Sequence, residues 1–153
     1  MRDIKRIAMT QTGEFREYYV VFTDTAELGY PWRWFTRKGF RHCEVYMGID
    51  NKSFSVCHTH CNVEFTFYDF DIHKAVHLLL EQGDKVVYVP TLRKYRKLFR
   101  MGLFIPSCIS TCQKITGLSF NAFTPYGYYK SLLKNGGVEV GVSEHERVKT
   151  EET

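Results

Sequence analysis

Hydrophobic and polar residues alternate with a period of two over much of the N-terminal part of the chain, a pattern typical of half-buried β-strands. Aromatic and β-branched residues dominate these runs, as they do in known strands. Alternation predicts strands at residues 40–48, 53–61 and 63–70, and runs of aromatic and β-branched residues predict two more at 17–23 and 85–89. Asp50, Asn51 and Lys52 are turn residues between the segments 40–48 and 53–61. The pattern therefore predicts that these two segments pair as an antiparallel hairpin.

Helices are predicted where capping residues enclose a segment. Asp71 precedes residues 72–82 as an N-cap, and Gly83 follows them as a stop signal. Residues 92–101 form a basic amphipathic segment that ends before Gly102. Both segments are long enough to pack one face against a sheet.

Two further helices are predicted towards the C-terminus. Pro106 and Ser107 are start signals for the first of them, and Gly117 is its stop signal. The second begins with Thr124 as cap and Pro125 at the first helical position, and it ends at residues 135–137. A segment compatible with a short strand begins after these residues.

This order of elements predicts the α+β class, with an antiparallel sheet of about five or six strands and helices packed on one face. We expect a single domain over residues 1–153, with a core at about residues 17–137 and a charged tail at residues 143–153. The chain has 153 residues, of which 44% are hydrophobic and 16% aromatic, and this is enough to form one core. The composition therefore excludes a disordered protein.

Charge and hydropathy narrow the classes of function. No apolar run is long enough to cross a bilayer, and the N-terminus lacks the apolar centre of a signal peptide, so we expect a cytoplasmic or virion-associated protein with no membrane contact. The net charge is +4, and its basic residues cluster in residues 93–100. A cluster of that size favours the solvated face of a helix over nucleic-acid binding.

The five cysteines are an odd number, so they cannot all form disulfides within one chain, and we interpret them as reduced thiols. Cys108 is the candidate nucleophile because it falls in the first turn of a predicted helix. Unpaired backbone N–H groups and the helix dipole favour a thiolate there and lower its pKa. The alternative is that Cys108 is a small buried hydrophobic residue.

Two histidines complete the candidate site, His42 as the proton-transfer partner of this thiol and His58 as the group that orients it. His42 lies on a predicted strand and shares its face with Glu44. His58 lies on the neighbouring predicted strand and shares its face with His60. His42 and His58 could therefore meet, with His42 as general base and His58 as the group that orients it, while Glu44 and His60 are rivals for the third role.

Zinc binding is the main chemical alternative. Residues 57–61 contain two cysteines and two histidines, and zinc held by Cys57, Cys61, Cys108 and Cys112 is conceivable. The spacings differ from the C-x-x-C pairs of standard zinc modules. In a regular strand the two cysteines of this cluster also face away from its two histidines. We therefore assign no metal and no other cofactor.

Two short motifs resemble those of a known family. The first motif is Gly39-Phe40-Arg41-His42-Cys43-Glu44-Val45-Tyr46, and the second is Ser107-Cys108 followed by Lys114, Gly117 and Thr124-Pro125. Together they resemble the circularly permuted NlpC/P60 group of papain-like thiol proteins, which has bacterial and bacteriophage members. In that group the histidine strand precedes the cysteine helix, as it does here.

This resemblance implies a permuted papain-like arrangement and a role for each matching residue. Cys108 would be the nucleophile, His42 the general base and acid, and His58 the orienting group. The N-terminus of the helix and the backbone N–H of Cys108 would form part of an oxyanion hole.

Two classes of function follow. The first is a cysteine hydrolase or acyltransferase that acts on an amide, thioester or ester, with a peptidoglycan peptide as the substrate if the resemblance extends that far. The second is a non-catalytic interaction protein, for instance a phage virion component that retains the fold. Its protein partners would bind the basic helix, the C-terminal tail and the aromatic loop that contains Trp32 and Trp34.

Overall fold

The computed structural model of the protein describes residues 18–24, 36–49, 51–59, 62–90, 107–118 and 122–141. These ranges contain six strands and three helices. In chain order they are β1 (Tyr18–Thr23), β2 (His42–Ile49), β3 (Lys52–Thr59), β4 (Asn62–Tyr68), α1 (Ile72–Glu81), β5 (Lys85–Val89), α2 (Cys108–Thr116), α3 (Pro125–Lys134) and β6 (Val138–Val140). The α+β class predicted from the sequence is confirmed.

All six strands form one antiparallel sheet in the order β4-β3-β2-β1-β5-β6. The predicted hairpin is present, because β2 pairs with β3 directly after the turn. Strands β1, β2 and β5 lie inside the sheet, and their hydrophobic side chains are buried on both of its faces.

The helices lie on both faces of the sheet, so the prediction that they pack on one face is wrong. Helices α2 and α3 pack on the face formed by residues such as Val45 and Val87, and α1 packs on the face that contains Val21 and Val86. The reason lies in the inner strands, because a strand that is apolar on both sides needs a layer of helix against each side. The buried residues of α1 recur at the spacing of one helix face: Ile72, Ala75, Val76 and Leu79.

Local signals predicted the ends of the helices well. The Asp71 carboxylate accepts a hydrogen bond from the backbone N–H of Lys74 at 2.7 Å, and Thr124 caps α3 with Pro125 at its first position. Strand β5 has the predicted bounds, while β3 ends two residues earlier than expected. The predicted basic helix at 92–101, the tail at 143–153 and the loop with Trp32 and Trp34 lie outside the described residues.

No helix within the described part of the chain is both long enough and apolar enough to cross a membrane.

Candidate thiol site

The start of α2 places Cys108 as the sequence predicts. Ser107 is the N-cap, and its hydroxyl accepts a hydrogen bond from the backbone N–H of Ser110 at 3.1 Å. The Ser110 hydroxyl in turn accepts from the backbone N–H of Ser107 at 3.0 Å, which completes a capping box. At the other end, Gly117 has φ of 72°, a left-handed conformation that glycine adopts without strain. These signals make Cys108 the first residue of the helix.

The site lies where β2 and β3 separate. The pairing between these two strands runs from Ile49–Lys52 to Val45–Val56. Beyond that point β2 remains paired with β1 as far as His42, and β3 remains paired with β4 as far as Thr59. Among the described residues, the side chains of His42, Cys43, Cys57 and Cys108 interact at this place.

Cys108 carries its sulfur as a thiolate at neutral pH. A hydrogen bond from the Cys43 side chain is the largest influence on its pKa, and it outweighs the opposing effect of burial. The hydrogen bond and positive charge of His42 act in the same direction, as does the backbone N–H of Cys43. Together they lower the pKa of Cys108 to about 4.

His42 carries the matching positive charge. Burial by itself would lower the pKa of His42, but hydrogen bonds and charge interactions with Cys108 and Cys57 outweigh it and raise the pKa to about 10. His42 Nε2 lies 3.0 Å from Cys57 Sγ. The imidazole therefore interacts with two sulfur atoms, one on α2 and one on β3. At neutral pH the pair is Cys108 thiolate and His42 imidazolium, the resting form of a thiol nucleophile with its acid–base partner.

Two further cysteines lie in the buried cluster against which Cys108 packs. Cys43 and Cys112 are fully buried, and their Sγ atoms are 3.7 Å apart, within hydrogen-bonding distance. Burial and the hydrogen bonds with Cys108 and Cys112 raise the pKa of Cys43, so its thiol stays protonated beside the thiolate. None of the four described cysteines forms a disulfide.

The observed register separates His42 from His58. Because Val45 pairs with Val56, the alternation of the two strands puts His42 on the same face as Cys57 and puts His58 on the opposite face. This register gives no support to the expectation that the two histidines could meet, and the role of His58 as orienting group stays a prediction. Shifting the pairing by one residue reverses every face of a strand, and alternation alone does not define the pairing.

Glu44 and His60 are the alternatives to His58 for the orienting role. Glu44 shares the face of His42, and the charge of His42 acts on its carboxyl group, although burial raises the pKa of Glu44. His60 lies outside the described residues. Cys57, predicted from the sequence only as a possible zinc ligand, lies beside the His42 imidazole, with its Sγ 3.0 Å from Nε2.

In the described ranges, no group of three or more His, Cys, Asp or Glu side chains is placed to hold a metal ion. The described residues therefore do not support metal binding. Cys61, one of the four ligands that we considered for zinc, falls outside these ranges.

Cys43 and Cys57 are the participants that sequence reasoning missed. Cys43 follows His42 directly in the chain, and Cys57 precedes His58, so both were visible as neighbours of chosen residues. The odd cysteine count indicated free thiols but not which of them would surround Cys108.

Comparison with known protein families, curated proteins and solved structures finds no match to this chain.

Proposed function

We propose that the protein is a cysteine hydrolase or acyltransferase in which Cys108 attacks the carbonyl carbon of an amide, thioester or ester. The observation that carries this proposal is the half-buried pair of Cys108 and His42 at the start of α2, in which each group shifts the pKa of the other towards its charged form. A thiolate that exists at neutral pH is a ready nucleophile, and a protonated imidazole beside it can supply the proton that the leaving group needs.

The reaction would proceed in two steps. In the first, Cys108 Sγ bonds to the acyl carbon, the bond to the leaving group breaks, and His42 donates its proton to that group. The product is a thioester between Cys108 and the acyl group. In the second step, water or another nucleophile loses a proton to His42 and attacks the thioester, which releases the acyl group and restores the thiolate. Backbone N–H groups at the start of α2 are suited to stabilise the oxyanion in both steps.

Cys57 takes the orienting role in this proposal. The 3.0 Å contact with His42 Nε2 lets its sulfur accept a hydrogen bond from the imidazolium ring, as the third group of a catalytic triad does. The resemblance to the NlpC/P60 group favours a peptide amide as the substrate, and a peptidoglycan peptide is the first candidate.

The test is acylation of the protein by an activated ester or thioester, followed by intact mass and peptide mapping. We expect the acyl group on Cys108, no adduct in Cys108→Ala, and at least a roughly 100-fold slower reaction in His42→Ala, since a positioned acid–base group contributes about that factor or more. Cys112→Ala is the matched control, because it removes a cysteine one turn away on the same helix. Acylation that persists in Cys108→Ala at the wild-type rate contradicts the proposal.

A non-catalytic role in binding another protein is the second candidate, and β4 is the observation that favours it. This strand is at the end of the sheet, and three of its hydrophobic side chains are exposed on one face: Val63, Phe65 and Phe67. Phe67 has 78% of its surface exposed. Exposed apolar residues along an edge strand are typical of a surface that pairs with another chain. This candidate would be favoured if Cys108 is not acylated and if another protein binds the wild type but not Phe67→Ser.

A further inference from the structure

We propose that strand β4 pairs with β4 of a second copy of this chain, so that the two sheets continue into one another across a two-fold axis at Phe65. This inference does not depend on the chemistry of Cys108 and holds whether or not that thiol is a nucleophile. It goes beyond a general role in protein binding, because it names the partner and the register of the contact.

The outer edge of β4 is open for pairing. In the described part of the chain β4 has one neighbour in the sheet, β3, and the two strands pair along the whole of Asn62–Tyr68. Within these ranges, the backbone N–H and C=O groups that point away from β3 therefore face no other strand. The first six residues of β4 are exposed and Tyr68 is half-buried. A second strand can thus approach along its full length.

β4 lacks the features that normally keep an edge strand from pairing. Natural edge strands are protected by lysine, proline, bulges or short length. β4 contains no lysine, arginine or proline, its one charged residue is Glu64, and its register with β3 runs without a bulge. The opposite edge of the described sheet differs, because β6 has only three residues and its Glu139 binds Lys85 and Tyr129.

The exposed apolar side chains of β4 form a row on one face, and we name Val63, Phe65 and Phe67 the β4 row. Phe65 pairs with Val56, and Val56 pairs with Val45, so this is the face on which α2 and α3 pack. The described helices leave the row uncovered, since its members keep between 41% and 78% of their surface exposed. An exposed apolar patch of this kind is typical of an interface.

The sequence of β4 is complementary to itself in the antiparallel direction. With the axis at Phe65, the centre of the strand, Phe65 faces Phe65 of the second copy and Val63 faces Phe67. Every member of the row then gains an apolar cross-strand neighbour. On the other face Glu64 lies opposite Thr66, whereas an axis at Glu64 would bring two carboxylates together. A two-fold dimer requires such a self-complementary surface.

The size of the contact indicates a dimer of moderate affinity. One pair of seven-residue strands is smaller than the interfaces of about 1,600 Å² that stable complexes bury. We therefore expect a dissociation constant in the range of about 1–100 μM.

The first test is sedimentation equilibrium of the full chain, with a reducing agent present, at concentrations from about 1 μM to about 1 mM. The wild type should change from the mass of one chain to the mass of two. Phe65→Lys should raise the dissociation constant at least about tenfold, because two ammonium groups would face each other across the axis. Phe123→Lys is the matched control and should leave the constant unchanged, since Phe123 is 82% exposed but lies outside β4, before α3.

Two substitutions of the exposed Thr66 test the register. Thr66→Lys would place an ammonium group opposite Glu64 of the second copy, twice in each dimer, and should lower the dissociation constant by about two- to 30-fold at low salt. Thr66→Glu would place carboxylates opposite each other and should raise the constant. A weaker dimer in both variants would contradict the register, because it would put the axis at Thr66.

Circular dichroism confirms that each variant is folded, and if Phe65→Lys does not fold, Thr66→Glu provides the same test at a polar position. The inference is overturned if the wild type stays monomeric at about 1 mM, or if neither substitution weakens the dimer. In a monomeric wild type, a lower free energy of unfolding in Phe65→Lys would mean that another segment of the same chain covers the row. Loss of binding to another protein in that variant would assign the row to that protein instead.

Discussion

At the scale of single residues, identical side chains acquire different chemistry from their surroundings. Cys43 and Cys108 belong to the same core cluster, yet burial raises the pKa of Cys43 while hydrogen bonds and the charge of His42 lower the pKa of Cys108 to about 4. The difference arises from the number of donors around each sulfur and from the nearby imidazolium. The reactivity of each cysteine thus depends on the groups that surround its sulfur.

The ion pair predicts a particular pH dependence of stability. In the folded protein the pair holds one proton, on His42, from about pH 4 to about pH 10. At their ordinary pKa values of 6.5 and 9.0, the two groups of the unfolded chain bind two protons below pH 6.5, one between 6.5 and 9.0, and none above. Stability rises with pH wherever the unfolded chain binds more protons.

The contribution of the pair should therefore grow from about pH 4 to pH 6.5, stay constant to pH 9.0, and decline towards about pH 10. The slope in the acid range is at most about 1.4 kcal/mol per pH unit. Urea unfolding of wild type and Cys108→Ala across this range measures it as the difference between the two proteins. Parallel curves between pH 4 and 6.5 would show that the pair does not exist in the folded state.

The third position of the site is tested by a pair of adjacent substitutions. Cys57→Ala should slow acylation of Cys108 by about tenfold to 100-fold, because the His42 ring loses the contact that orients it. His58→Ala is the control, since its side chain is on the other face of β3. Rates of single-turnover acylation distinguish the two. If His58→Ala slows acylation more than Cys57→Ala does, His58 is the orienting group, as the sequence predicts.

At the scale of elements, the start of α2 and the divergence of β2 from β3 together create the site. The capping box of Ser107 and Ser110 determines where the helix begins, and the separation of the strands leaves room for Cys108 between His42 and Cys43. Neither element contains the site by itself, because the nucleophile is on one and its proton partner on the other.

Two N-cap substitutions separate helix stability from thiol chemistry. Ser107→Ala should lower the free energy of unfolding by about 1 kcal/mol, and it should also raise the pKa of Cys108, because the first turn of α2 loses its fixed geometry. Thr124→Ala at the start of α3 should cost a similar free energy without changing Cys108. Urea unfolding and the pH profile of alkylation provide the two readouts. Equal alkylation profiles in both variants would mean that the cap does not act on the thiolate.

At the scale of the whole molecule, the sheet separates two layers with different tasks. Helices α2 and α3 cover one face and carry the candidate nucleophile, while α1 covers the other face through a purely apolar stripe. Changes in the α1 layer should therefore affect stability without affecting the thiol.

A substitution at Gly48 tests whether the α1 layer is independent of the thiol site. A methyl group at this position would lie 3.0 Å from Ile72 Cγ2, closer than side chains normally approach, so Gly48→Ala should destabilise the protein by about 1–3 kcal/mol. Gly141→Ala is the control, because no atom of the described residues lies within 4 Å of its added methyl group. We expect the alkylation profile of Cys108 to be unchanged in both folded variants. A shifted profile in Gly48→Ala would show that the two layers are coupled through the sheet.

The sequence by itself determined most of the local structure. Alternation, aromatic content and turn residues located the first five strands, and a segment compatible with a short strand was predicted where β6 lies. The caps Asp71, Ser107 and Thr124 marked the starts of the three described helices. These features depend on residues within a few positions of one another. For the same reason, the placement of Cys108 at a helix start was predictable. The groups that lower its pKa, Cys43 and His42, belong instead to β2, which is distant in the chain.

Only the tertiary structure decided which residues surround Cys108. The pairing of Val45 with Val56 brought Cys57 to His42 and turned His58 away, and a shift of one residue would have reversed this choice. The position of α1 on the far face likewise depended on burial of the inner strands from both sides. Register and layering are settled by contacts between distant segments, and periodicity within one segment carries no information about them.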